Sequence, residues 1–136
     1  MSITFFVIPY KPTEWKTADS DLRINIDEFQ EKLVQAWPTA KFELTPENGL
    51  LWSIPEDSSA GFFGGIQSDH QIISFGPGGW KTFKDFILWY RLFIPLEYRL
   101  FFFNSSSWNS LEITSIVTRE DIDNFLSQST GVENEE

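Results

Sequence analysis

His70 is the only histidine in this chain of 136 residues, so a Ser-His-Asp relay would have to use it. Its neighbour Asp69 projects to the opposite side if the segment is extended, and Ser68-Asp69-His70 is typical of a short connection between two strands. A relay needs three side chains in a fixed mutual geometry, which this spacing does not supply. We interpret His70 as an exposed turn residue and predict no catalytic residue.

Metal binding has little support in the residue types. The chain has no cysteine and one histidine, which removes thiolate sites and nearly all histidine-based sites. Carboxylate pairs could serve acid–base or divalent-metal chemistry, but no Asp-x-Asp-x-Asp-Gly calcium loop is present. We interpret these carboxylates as a solvated acidic surface and predict no metal ion and no cofactor. The sets are Asp19 with Asp21, Glu56 with Asp57, and Glu120 with Asp121 and Asp123.

The segment Gly76-Pro77-Gly78-Gly79 lies between a predicted strand and a predicted helix, where backbone amides can attract an anion. Pro77 removes one donor, and the segment lacks the Gly-Lys-Ser/Thr ending of a Walker loop and the spacing of a dinucleotide motif. A structural turn is therefore favoured over an anion site.

Twelve aromatic residues occupy the thirty-four positions from Phe75 to Trp108. Aromatic side chains bury large areas and dominate both cores and interfaces, so this segment is predicted to form the heart of the fold. Trp108 lies in a polar loop, where it either folds back over the sheet, the favoured interpretation, or anchors a partner or ligand. The same two interpretations apply to Trp80.

A cleft is one candidate site beside the second predicted helix, at residues 80–94. Tyr90, Arg91 and Arg99 would place polar groups among aromatic side chains between this helix and the sheet. Small-molecule pockets are mostly apolar with a few polar anchors, so this composition fits a ligand-binding domain or an enzyme.

The back of the same helix is a second candidate contact surface. Leu88 and Leu92 lie there one turn apart, on the side opposite the apolar stripe. They are either buried between the sheet and a third helix or paired across a symmetric homodimer. Charged residues occupy much of this far side, namely Lys81, Lys84, Asp85 and Arg91.

The overall charge excludes some partners. A net charge of −10 and a pI near 4.4 argue against binding to nucleic acid or to an anionic membrane face. They are compatible with a basic protein partner, although solubility is the favoured explanation. The N-terminus lacks a signal-peptide pattern, and no apolar run is long enough to span a bilayer, so we expect a soluble cytoplasmic protein.

Three helices are predicted, at residues 26–37, 80–94 and 118–127. The first has Asn25 as its N-cap, and Pro38 makes the preceding residue its end. The third begins with Thr118, with Asp121 in the position of the usual capping glutamate. Between the helices, short apolar runs broken by turn residues predict a meander of antiparallel strands.

These elements predict a single α+β domain over residues 1–126, followed by an acidic, disordered tail at 127–136. The sheet should have five to seven largely antiparallel strands. The strands near 2–9 and 97–103 should be central, because both are apolar on alternate faces.

The function predicted first is that of a non-enzymatic binding or regulatory protein engaging a basic protein partner, for example an inhibitor or immunity-type protein. The small single domain, the charge of −10 and the absence of a catalytic constellation motivate this prediction. The alternative is a small-molecule-binding domain or enzyme that uses the aromatic and arginine-lined cleft.

Overall fold

The computed structural model describes residues 4–11, 20–46, 49–56, 59–76, 80–104 and 109–130. These residues form seven strands and three helices, an α+β arrangement in one domain that confirms the predicted fold class. In chain order the elements are β1 (Phe5–Ile8), α1 (Ile26–Ala36), β2 (Lys41–Leu44), β3 (Leu50–Glu56), β4 (Ser59–Ile66), β5 (Ile73–Phe75), α2 (Trp80–Phe93), β6 (Phe101–Asn104), β7 (Leu111–Glu112) and α3 (Arg119–Thr130).

The seven described strands form one antiparallel sheet in the order β2-β3-β4-β5-β1-β6-β7. β1 lies between β5 and β6, so the two strands predicted to be central are interior neighbours, while the middle position of the seven belongs to β5. β6 begins at Phe101 rather than near residue 97. Pro95 ends α2, and the Tyr98 amide donates to the Pro95 carbonyl, so residues 95–98 form a turn instead of a strand.

All three described helices pack on the same face of the sheet. The rings of Phe29 on α1 and Trp52 on β3 are 5.3 Å apart, and Phe83 on α2 lies 5.0 Å from Phe5 on β1. Phe125 on α3 contacts Phe102 on β6 at 5.5 Å. The fold is therefore a two-layer arrangement, with an aromatic core between the helices and one side of the sheet.

Local signals determine where α1 and α3 begin. The Asn25 side chain accepts a hydrogen bond from the Glu28 amide at 2.9 Å, as predicted. Thr118 and Asp121 cap α3 reciprocally, through bonds of 2.9 and 3.1 Å. α3 then continues to Thr130, three residues past the predicted helix end at 127 and into the segment predicted to be a disordered tail, and residues 131–136 lie outside the described residues.

α2 is held on two sides. Its predicted apolar stripe faces the core, and every member is buried: Phe83, Phe86, Ile87, Tyr90 and Ile94. On its outer side Lys84 binds Asp123 at 2.8 Å, and Asp85 pairs with Arg119, so two ion pairs join α2 to α3. Within the described residues, none of the helices combines the length and the apolar character needed to cross a membrane.

Candidate functional site

The sheet face turned away from the described helices carries an exposed apolar surface. Because Phe5, Trp52 and Phe102 point to the helices, their chain neighbours Phe6, Leu51 and Phe103 point to the other side. We use the name open face for this side of the sheet, and define it by Phe6, Leu51, Phe63, Gly65, Ser74 and Phe103.

Strand register places most of these side chains in one row across the sheet. Leu51 is opposite Gly65, Gly65 is opposite Ser74, and Phe6 is opposite both Ser74 and Phe103. The rings of Phe6 and Phe103 stack at 5.2 Å and are half-buried. Leu51 and Phe63 are each 48% exposed. Two apolar clusters therefore flank a floor made of the small residues Gly65 and Ser74.

A groove of about 300 Å³ lies over this floor, beside Leu51 and the turn at residues 67–68. Gly65 keeps the floor of the groove open because it has no side chain. A Cβ built there would lie 3.0 Å from a Leu51 methyl carbon and 3.1 Å from the Leu50 carbonyl oxygen. The groove can accept an apolar side chain from another molecule, with backbone polar groups of the nearby turn at its rim.

A second concavity, an open cavity of about 560 Å³, lies where the end of β1 meets the turn after α2. Its lining includes Asp21, Glu97, Tyr98 and Arg99. A hydrogen bond to the Asp21 carboxylate raises the pKa of Tyr98. The cavity is polar and carries both signs of charge.

Arg99 was predicted as a site residue, and it lines this cavity. Its guanidinium binds the Glu112 carboxylate through two bonds of 3.0 and 3.1 Å, and lies 4.9 Å above the Phe101 ring. These hydrogen bonds lower the pKa of Glu112. The bidentate pair and the ring contact hold the planar guanidinium in one orientation.

Arg91 was predicted on the solvent side of α2 and in a cleft with Arg99, but its position is different. Its side chain is buried at 4% exposure and donates to the carbonyl oxygens of Ile113, Ile94 and Pro95 at 2.9 to 3.1 Å. Burial lowers the pKa of Arg91. Arg91 is thus on the helix side of the sheet and Arg99 on the open-face side, and the two do not share one site.

The other residues predicted as contacts on α2 differ in how exposed their side chains are. Tyr90 is fully buried among Phe86 and Phe93, and its hydroxyl has no hydrogen-bond partner among the described residues. Leu88 is half-buried against the core, whereas Leu92 is 82% exposed. The two leucines are therefore not equally available for a contact.

Trp80 and Trp108 were also predicted as possible contacts. Trp80 begins α2, but its side chain is outside the described residues, and so is all of Trp108. The glycine-rich segment also lies outside them from 77 to 79, so the anion-site alternative stays a prediction.

His70 has a structural role in the turn between β4 and β5. Its φ of 59° is left-handed, its carbonyl accepts the Ile24 amide at 2.7 Å, and its side chain is half-buried rather than exposed. Asp69 accepts the Gln71 amide at 3.0 Å, as is typical of an Asx turn. Within the described residues, no three side chains of the metal-binding types lie close enough together to hold an ion.

Comparison with known proteins gives no homologue: no protein family matches the chain, and no curated protein or solved structure is significantly similar to it. The site must therefore be interpreted from its own chemistry. The open face was not among the residues predicted from the sequence. The signal for it is the pairing of consecutive apolar residues, Leu50-Leu51 and Phe62-Phe63, which makes both faces of β3 and β4 apolar.

Proposed function

We propose that this chain is a non-enzymatic binding or regulatory protein that engages a basic protein partner through the open face of its sheet. The observation that carries the proposal is the half-exposed Leu51 at the groove over Gly65 and Ser74, with the half-exposed Phe63 on the same face of the sheet. Exposed aromatic and aliphatic side chains next to a pocket are typical anchors of a protein interface.

The charge distribution supports a basic partner. Four of the ten basic side chains are engaged within the fold: Lys84, Arg99 and Arg119 in ion pairs, and Arg91 on backbone carbonyls. With twenty acidic residues in the chain, the field that a partner meets is negative. A field of this kind accelerates association with a basic protein and weakens as salt is added. An inhibitor or immunity-type protein is one example of this class.

The test compares a double substitution on the open face with a single substitution of an exposed leucine elsewhere. Leu51→Ser with Phe63→Ser removes the apolar anchors of the open face, whereas Leu92→Ser removes an exposed leucine from α2 as the matched control. In affinity capture from the native host, the wild type and Leu92→Ser should recover the same basic protein, and the double variant should lose it. The recovered pair should then associate more slowly as salt rises.

Recovery of the same partner by the double variant, with unchanged affinity, would remove the open face from the proposal. An association rate that is indifferent to salt would remove its electrostatic part. Circular dichroism and thermal melting of each variant show whether the fold is kept, as expected for exposed positions.

The small-molecule alternative has one specific feature in its favour, the 560 Å³ cavity beside Arg99, which lies at the end of β1 and not in the predicted cleft between α2 and the sheet. A ligand there would be polar, with an anionic group for the guanidinium and donors for Asp21 and Glu97. Arg99→Met should then abolish binding of such a ligand, found by thermal-shift screening of small polar metabolites, while Leu51→Ser should leave it unchanged. The opposite pattern would favour the open face.

The predicted homodimer through α2 stays a proposal, with one leucine in its seam instead of two. Leu88 contacts the core, so the seam would rest on the exposed Leu92. Leu92→Asp should convert such a dimer into a folded monomer in light scattering. A wild type that is monomeric, or a dimer that this change leaves intact, would contradict it.

A further inference from the structure

β2 is an edge strand that bonds only β3 among the described residues. Within the described part of the chain, the backbone groups on its outer side have no partner, and three of its four side chains are exposed, including Leu44 at 67%. Such an edge is a template for pairing with another strand unless its side chains prevent it.

The hydrogen-bonding pattern shows which residues face this edge. The Thr45 amide donates to the Gly49 carbonyl at 3.0 Å, in the register that pairs Glu43 with Leu51 and Lys41 with Ser53. Hydrogen-bonded pairs alternate with non-bonded pairs in an antiparallel ladder. Lys41 and Glu43 therefore bond β3, and the backbone groups of Phe42 and Leu44 point to the free edge.

This alternation restricts how two copies of β2 could pair around a two-fold axis. The edge-facing residues must meet each other, so Phe42 can lie opposite Ala40, Phe42 or Leu44 of the second copy. Pairing with Ala40 would place Lys41 opposite Lys41, and pairing with Leu44 would place Glu43 opposite Glu43. Pairing Phe42 with Phe42 places Lys41 opposite Glu43, twice, on the open-face side. Side-chain charge therefore selects the register centred on Phe42.

The other face of the strand is equally self-complementary in this register. Phe42 of each copy meets its equivalent, and the exposed Leu44 lies opposite Ala40. The Ala40 amide already donates to Trp37, but its carbonyl can accept the Leu44 amide of the other copy. Two bonds between the Phe42 residues and two from the Leu44 amides would pair the edge-facing N–H groups of Phe42 and Leu44 in both copies.

We propose that β2 is a self-association edge, through which two copies of the chain join their sheets antiparallel with Phe42 at the two-fold axis. Charged side chains on an edge strand usually oppose such pairing. Here the alternation of Lys41 and Glu43 makes the edge complementary to itself. The contact involves four strand residues and is a weak, concentration-dependent one.

Charge reversal tests this register. Each of the single changes Lys41→Glu and Glu43→Lys places like charges opposite each other at both symmetry-related pairs. Each should raise the dimer dissociation constant by about tenfold, measured by sedimentation equilibrium. The double variant Lys41→Glu, Glu43→Lys restores opposite charges and should dimerise like the wild type. An equimolar mixture of the two single variants should form a heterodimer, since the carboxylates of one copy meet the lysines of the other.

These variants also exclude a general effect of net charge. One single change makes the chain more acidic and the other less, so self-repulsion would move their dimerisation in opposite directions, whereas the proposal requires both to weaken it. Leu92→Asp is the control for a dimer through α2 and should leave a β2 dimer intact.

Amide exchange gives a direct structural readout in solution. As protein concentration rises, the Phe42 and Leu44 amides should become protected, whereas the Lys41 and Glu43 amides should be protected at all concentrations. A wild type that is monomeric at millimolar concentration would overturn the proposal. So would a dimer whose Phe42 and Leu44 amides exchange freely, or a double variant that fails to recover.

Discussion

Arg91 illustrates how a residue's environment can reverse the role that its position along a helix suggests. Its position on α2 predicts a solvated cation, yet its guanidinium is buried and donates to three backbone carbonyls. Two of these carbonyls, of Ile94 and Pro95, follow the end of α2, and the third belongs to Ile113 after β7. Arg91 thus caps the helix end and ties it to the edge of the sheet.

Replacing this guanidinium should be costly. Arg91→Met removes all three charge-assisted bonds and leaves their acceptors without a donor, so we expect the free energy of unfolding to fall by about 3 kcal/mol. Arg99→Met is the matched control, because Arg99 is 59% exposed and its ion pair with Glu112 should contribute no more than about 1 kcal/mol. Urea denaturation of both variants measures the two losses. Equal losses would contradict the structural role of Arg91.

Tyr90 makes a prediction of the opposite sign. Its hydroxyl is buried without a described partner, so Tyr90→Phe should leave the stability unchanged at neutral pH or raise it by about 1 kcal/mol. Burial also raises the pKa of Tyr90 above the ordinary value of 10.0. The unfolded chain then loses its proton first, so the wild type should lose stability as the pH rises above 10.0, up to the raised pKa.

The phenylalanine variant lacks this proton and should lose less stability over the same alkaline range. Chemical denaturation at a series of pH values gives both curves. A variant that is less stable than the wild type at neutral pH would show that the hydroxyl has a partner.

At the scale of the elements, close approach of strands determines which positions accept only glycine. A Cβ on Gly64 would lie 2.4 Å from the Ser74 carbonyl oxygen and 2.7 Å from the Trp52 ring. On Gly65 its nearest atom would be a methyl carbon of Leu51 at 3.0 Å, and that side chain is 48% exposed and can rotate. The two adjacent glycines of β4 therefore differ in how much change they tolerate.

Gly64→Ala should destabilise the protein by about 3 kcal/mol, because backbone and a buried indole must move. Gly65→Ala should cost about 1 kcal/mol, since it displaces one flexible side chain and a carbonyl contact near the usual limit. Thermal denaturation of the pair measures the difference. A larger loss for Gly65→Ala would show that the open face is packed more tightly than the helix side.

At the scale of the whole molecule, the order of strands predicts a gradient of local stability. β1 bonds β5 on one side and β6 on the other, and its residues Phe5 and Val7 are buried under the helices. β7 has two residues and bonds only β6 among the described strands. Opening an interior strand exposes the aromatic core, whereas opening an edge strand does not.

Native-state hydrogen exchange should therefore find the β1 and β5 amides exchanging only through global unfolding, and those of β7 through local opening. Exchange is measured by NMR at low protein concentration, so that association at β2 contributes little. A β1 strand that exchanges as fast as the chain termini would contradict its interior position.

The sequence by itself determined the parts of this protein that depend on neighbours along the chain. Asn25 with Glu28, and Thr118 with Asp121, predict the starts of two helices, since capping bonds span three residues. The buried stripe of α2 follows from its spacing, and Pro95 predicts where the helix stops. Five aromatic residues from 75–108 lie in the buried core, as the aromatic richness of that segment predicts, and five more come from other parts of the chain.

Only the tertiary structure decided which surfaces remain for function. A strand takes its partners from anywhere in the chain, so the edge position of β2 and the middle position of β5 could not be derived from local patterns. The burial of Arg91 depends on carbonyls beyond its own helix. Leu51 and Phe63 are exposed because all three described helices pack on the other face of the sheet. These outcomes are decided by long-range contacts, which sequence spacing does not encode.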